Sequence, residues 1–235
     1  MIAILLLPEP DSYLETKDEP SHFKEKLTQV MIPSLINFMA QKDFGLIIIF
    51  IVLFKIGDTV LNMISVLFLI DIGFSKLEIA NIAKTFGIVA MIVGGVFAGF
   101  LQTIKSSFYN LAASSLLLAT SSLMFMLQAY IGYDIRFLTL TMGVENFACG
   151  MAATALISYI STLCHPPHTA TQFAILSSFC SLARVVLSVG APWLADQTDW
   201  FTYFALIACL SLISLVWLIA YGSQIISPYR RSYET

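Results

Sequence analysis

The chain has 235 residues, of which 58% are hydrophobic and 11% charged, with a formal net charge of -3 and a mean hydropathy of +0.84. An ordinary soluble domain is roughly one quarter charged, so these residues cannot furnish a water-soluble surface, and the charge balance gives no footing for a nucleic-acid partner. The four cysteines, Cys149, Cys164, Cys180 and Cys209, show no paired spacing and read as small core residues, not as a disulfide framework.

Met1 to Leu7 is a short apolar stub without a basic flank, and Pro8 follows at once. It makes a poor signal peptide and fits the tail end of a span that began upstream. Residues 8–21 are acidic and proline-containing, as an aqueous linker is. From His22 to Lys42, Phe23, Leu27, Val30, Met31, Leu35, Phe38 and Met39 recur at helical steps beside Lys24, Lys26 and Lys42. That pattern suits an amphipathic segment on the membrane surface, bent at Pro33, or equally a linker helix packed under a bundle. Residues 1–44 are therefore read as the remnant of a preceding span followed by a cytoplasmic linker and amphipathic segment.

Six apolar stretches follow, at about 45–70, 79–101, 108–129, 137–163, 169–195 and 201–222, and form an all-α bundle over 45–222, with 223–235 as a cytoplasmic tail. Each reaches the roughly 20 residues that cross hydrocarbon. With the N-terminal segment inside, Lys17, Lys24, Lys26, Lys42, Lys105, Arg230 and Arg231 are cytoplasmic and only Lys76 and Arg136 lie outside. This bias places both termini in the cytoplasm. Gly95 with Gly99, and Ala170 with Ala174 and Ser178, form small-residue stripes expected at close helix contacts.

Charges occupy the middles of three spans: Lys55 and Asp58, Glu145, and Arg184. At about 2.5 to 3.5 kcal/mol each, the four would oppose insertion by roughly 10 to 14 kcal/mol if they faced lipid. They are expected to face each other or a wet cavity. Lys55, Asp58 and Asn62 are spaced i, i+3, i+7 and share one helical face. At about 1.5 Å per residue, Asp58, Arg184 and Glu145 converge on the middle to outer half of the membrane.

The four charges sum to zero, so a mutually compensated network is expected. Two readings stay open at this point: an ion pair that locks the bundle, or a cavity-lining set used for substrate or proton coupling. Glu145 stands in Gly143-Val144-Glu145-Asn146, where burial and nearby cations pull its proton affinity in opposite directions. Glu145 or Asp58 is the candidate coupling acid. Lys84, about 8 Å from the end of its span, is read as snorkelling to the interface.

Cys164-His165-Pro166-Pro167-His168 holds three potential metal ligands, but its tight double-proline loop argues against convergence on one ion. Neither a nucleotide-binding glycine loop nor a nucleophile elbow is present. The expectation is a protein that is not an enzyme and that carries no cofactor.

Specific strings resemble the AmpG-type muropeptide permeases, a branch of the major facilitator superfamily. They are Lys55-Ile-Gly-Asp58, Gly73-Phe-Ser with Ile82-Ala-Lys84 and Gly87, and Gly94-Gly95 with Gly99. They continue with Gly143-Val-Glu-Asn146-Phe, Tyr159-Ile-Ser-Thr-Leu-Cys164, and Thr169-Ala-Thr-Gln172-Phe-Ala-Ile-Leu-Ser-Ser178 leading to Arg184.

The resemblance implies a twelve-span carrier built from two six-helix halves, of which this chain looks like the second. It implies proton-driven import of anhydro-muropeptides across a bacterial inner membrane for cell-wall recycling. It also implies that Lys55, Asp58, Glu145, Asn146 and Arg184 line or brace the pathway, to which the shared helical face adds Asn62 as a candidate. Because major facilitators rock one half against the other around a midplane site, the expected partners beyond the bilayer, the solute and protons are a matching N-terminal half or a full-length paralogue. The alternatives are a carrier of another large anionic solute, such as an acyl-CoA, and an inactive truncated relic.

Overall fold

A computed structural model describes residues 44–164 and 169–225. The N-terminal remnant, linker and amphipathic segment up to residue 43, the histidines and prolines of 165–168 and the tail from 226 onward lie outside the described residues. Six helices are long and apolar enough to cross a membrane: α1 Phe44–Asp71, α2 Lys76–Ile104, α3 Ser107–Ile131, α4 Ile135–Leu163, α5 Thr169–Gln197 and α6 Trp200–Ile225. The expected all-α membrane fold is thus present. Helices are what lipid demands, since hydrocarbon offers the backbone no hydrogen-bonding partner.

The connections are short and chemically marked. Gly73, at φ 105, turns the chain after α1, and Ser75 caps α2 in a reciprocal capping box with Glu78. The Asp134 carboxylate accepts the N–H groups of Arg136 and Phe137 and starts α4. These turns gather at one end of the bundle, where the Tyr133 hydroxyl donates to Glu78 and the Trp200 indole donates to Asp71, each at 2.6 Å. This is called the Tyr133 end below.

The helices pack as a bent row: α2 on α4, α4 on α3, α3 on α6, α6 on α1, and α1 on α5. Half or more of the most apolar window of α1, α3 and α4 is buried, against 17% for α2 and 11% for α5, which end the row. Two apolar cores hold it. One joins Phe50, Phe54, Tyr159, Leu156 and Leu218; the other, toward the Tyr133 end, joins Ile64, Phe68, Phe125, Tyr203 and Phe204. Phe68 and Phe204 meet edge to face at 4.7 Å between centroids, a geometry worth about 0.5 to 1.5 kcal/mol beyond its buried area.

Lipid is as apolar as these side chains, so association rests on close packing and not on escape from water. The α2–α4 contact is the tightest case. A Cβ on Gly94 would overlap the Phe147 carbonyl, and one on Gly150 would overlap that of Met91.

Two expectations about small residues change here. Gly95 does pack on Thr154, but nothing lies within 4 Å of a Cβ on Gly99. The stripe Ala170, Ala174, Ser178 is exposed and lines an open groove of about 820 Å³ on α5 instead of a contact inside the bundle. Small residues permit close approach, but a neighbour must be there to approach.

Candidate functional site

Between the two apolar cores lies a polar layer. On α1 the i, i+3, i+7 spacing sets Lys55, Asp58 and Asn62 along one face, and α4 contributes Asn146 and Cys149 opposite them. With Thr59, Met91 of α2 and Arg184 of α5, they line a cavity of about 320 Å³. That volume is at the small end of ligand sites. One six-helix bundle thus offers a shallow polar wall, not an enclosure.

Lys55 Nζ lies 2.6 Å from Asp58 Oδ2, and Lys55 is only 7% exposed. Removing a lysine from water to this degree is tolerated because the carboxylate one turn on neutralises it. Asn62 Nδ2 donates to the Asp58 backbone carbonyl at 2.8 Å and to Cys149 Sγ at 3.1 Å, so the strip reaches across from α1 to α4. Asn146 also lines the cavity and donates to the Met142 carbonyl at 2.8 Å. The Arg184 guanidinium is exposed and makes no ion pair among the described residues.

The structure brings Lys55, Asp58, Asn62, Asn146 and Arg184 to one cavity. Glu145 is not among the residues that line it, although it lies near enough to Asp58 and Cys149 to feel their charge. Glu145 is 3% exposed and has neither an ion pair nor a hydrogen bond among the described residues. In place of the fully compensated network expected from the summed charges there is a single pair, Lys55 with Asp58, and neither Glu145 nor Arg184 makes an ion pair among the described residues. Rotation along α4 puts Asn146, Cys149 and Ala153 on the cavity and leaves the buried Glu145 at its edge, about 40° round the helix from Cys149. Lys84 is exposed on α2 and lines no part of it.

Sequence reasoning missed three features. Cys149 was read as a core residue, although its place four residues after Glu145 and three after Asn146 would have put it on the polar face. The second helix holds a π-helical turn, Ala83–Gly87, that carries Lys84 and sets Gly87 against the Asn146 amide; π turns gather at functional sites. Behind the cavity, Ser114, Ser115, Ser121 and Ser122 of α3 and Ser211 and Ser214 of α6 are buried. Ser114, Ser122 and Ser214 return their hydroxyls to the preceding turn, as Ser114 does to Asn110 at 2.8 Å, whereas the buried hydroxyls of Ser121 and Ser211 have no partner among the described residues.

No family model matches the chain. Among known proteins it is 34% identical to the transporter AmpG 3 of Rickettsia typhi over 221 residues, 92% of this chain and 51% of that protein. It is 30% identical to the transporter AmpG 4 of Rickettsia conorii over 91% of this chain and 53% of that protein. The anhydromuropeptide permease of Escherichia coli K12 is 29% identical over 220 residues, 93% of this chain and 43% of the permease. The chain spans about half the length of the curated relatives it matches. A multi-pass bundle of six bilayer-length helices, similar over nearly all its length to proteins of this kind, belongs to the AmpG-type transporter family and corresponds to the C-terminal half of its members.

Proposed function

We propose that this chain is the C-terminal half of a proton-coupled carrier that imports anhydro-muropeptides across the bacterial inner membrane, with both termini in the cytoplasm. The observation that carries the reading is the cavity of Lys55, Asp58, Asn62, Asn146 and Arg184 at mid-membrane depth, flanked by the two least covered helices, α2 and α5. The name of the Escherichia coli relative supplies the solute class. A matching N-terminal half would close the cavity from the α2 and α5 side, and rocking the halves would expose it to each face in turn.

In this reading the solute's hydroxyls meet Asn62 and Asn146, and one of its carboxylates meets the exposed Arg184 guanidinium in a charge-assisted contact. Glu145 is the better coupling acid of the two carboxylates, because Asp58 is already committed to Lys55. Gaining or losing a proton on a buried carboxylate changes the local energy by the cost of burying a charge, so it can bias one access state over the other.

The test is uptake of labelled anhydro-muropeptide, and separately of an acyl-CoA, in a strain lacking its own permease, with this chain expressed alone and with a matching N-terminal half. Muropeptide uptake that needs both halves, follows the proton gradient and loses its pH dependence in Glu145→Gln is the expected result. Transport of the acyl-CoA alone would replace the solute assignment. Absence of uptake from a correctly inserted pair would leave a non-transporting membrane protein.

A further inference from the structure

A second concavity lies on another face of the bundle. It is a groove of about 810 Å³ between α2 and α4, walled by Phe86, Val89 and Val93 on one side and Leu140, Val144 and Phe147 on the other. Leu117 of α3 closes its back, and Arg136 stands at its Tyr133 end. Gly143 forms part of the floor, where an added Cβ would meet nothing within 4 Å. Phe86 and Val89 are 58% and 60% exposed, so the walls are uncovered by this chain.

The groove is separate from the polar cavity. On α4 the cavity takes Asn146, Cys149 and Ala153, whereas the groove takes Arg136, Leu140, Gly143 and Phe147; at 100° per residue the two sets point roughly 120° apart. From Arg136 to Phe147 the groove follows α4 for about 16 Å, close to half of the roughly 30 Å hydrocarbon thickness. It ends where Gly94 meets the Phe147 backbone and the two helices touch. A slot one leaflet deep, apolar along its length and headed by a cation at the interface, has the dimensions and charge of one phospholipid.

Arg136 is free to take the headgroup. Its guanidinium is exposed and makes no ion pair among the described residues. The carboxylates near it are already engaged: Asp134 accepts the N–H groups that open α4, and Glu78 accepts from Tyr133 and Ser75. A phosphate suits a guanidinium because two parallel N–H donors match two of its oxygens.

We infer that the α2–α4 groove is a binding site for a membrane phospholipid, with one acyl chain in the slot and the phosphate on Arg136. The site is independent of the transported solute. Its test uses the whole chain in nanodiscs with a phosphatidylglycerol that carries a photoactivatable group in mid-chain, followed by peptide mapping of the adducts. Adducts are expected to concentrate on the segments 86–93 and 140–147. Arg136→Gln should lower them about ten-fold, the effect of losing one charge-assisted hydrogen bond. Gly143→Phe, whose Cβ enters open space, should abolish them while helicity stays unchanged.

Three results would each overturn the inference. Adducts could be spread evenly over all six helices. A diacylglycerol probe without phosphate could label the groove as strongly as the phospholipid does. Groove labelling could vanish when a matching N-terminal half is co-expressed, in which case protein and not lipid covers this face.

Discussion

The Asn62 amide of α1 donates to the Cys149 thiol of α4 across 3.1 Å, joining two helices that face each other over the polar cavity. The same nitrogen donates to the Asp58 carbonyl, and the Asp58 carboxylate holds Lys55, so three side chains tie the cavity floor to α4. A double-mutant cycle of Asn62→Ala and Cys149→Ala, read by unfolding in detergent, should give a coupling of about 0.6 kcal/mol, the average for hydrogen bonds between membrane helices. Additive single effects would mean that the contact has no energetic weight.

Asp58→Asn should destabilise the bundle far more than replacement of both partners. It strands a lysine that is 7% exposed, and breaking a buried pair by removing one member costs about 3 to 5 kcal/mol. The double change Lys55→Met, Asp58→Leu should recover most of the melting temperature while uptake by the complete carrier stays lost. Full recovery of uptake in the double variant would make the pair a purely structural staple.

Gly94 and Gly99 sit five residues apart on one helix and should respond in opposite ways. A side chain on Gly94 collides with the Phe147 backbone carbonyl, whereas one on Gly99 meets open space. Gly94→Val should therefore force α2 from α4 at about 1 to 3 kcal/mol, and Gly99→Ala should be neutral or slightly stabilising, since alanine is the better helix former. Thermal unfolding of the two variants in one detergent compares them directly.

Tyr133 supplies a prediction about pH. It lies in the loop outside the spanning helices, and its hydroxyl donates to Glu78 at 2.6 Å; that bond above all, then burial, then the carboxylate charge, raises the phenol from its ordinary value of 10.0. A raised value in the fold means that the pairing contributes fully below the ordinary tyrosine range and is lost as pH rises through the folded value. The ultraviolet titration of the wild type minus that of Tyr133→Phe should show one phenolate ionising late. Glu78→Ala should bring that ionisation down to the ordinary range, and an unchanged difference curve would remove the pairing.

Some of the site was legible before any coordinates because its cause is local. The i, i+3, i+7 spacing of Lys55, Asp58 and Asn62 puts them on one face of any helix, and the cost of four charges in hydrocarbon demands that they avoid lipid. Cys149 was legible in principle by the same periodicity. The π turn at Ala83–Gly87 was not, because its sequence reads like the α-helix on either side of it and the backbone pattern answers to how α2 meets α4.

The number of crossings and the polar face of α1 belong to the sequence, since in lipid every backbone group must bond within its own helix and each buried charge must be answered. Tertiary structure decided which charges meet. It left Glu145 without an ion pair among the described residues, set Arg184 open to the cavity and exposed the small-residue stripe of α5. A rotation of about 100° between adjacent residues separates a group that lines a cavity from one that does not. Helix rotations of this kind are fixed by summed contacts along whole interfaces, which no short stretch of sequence contains.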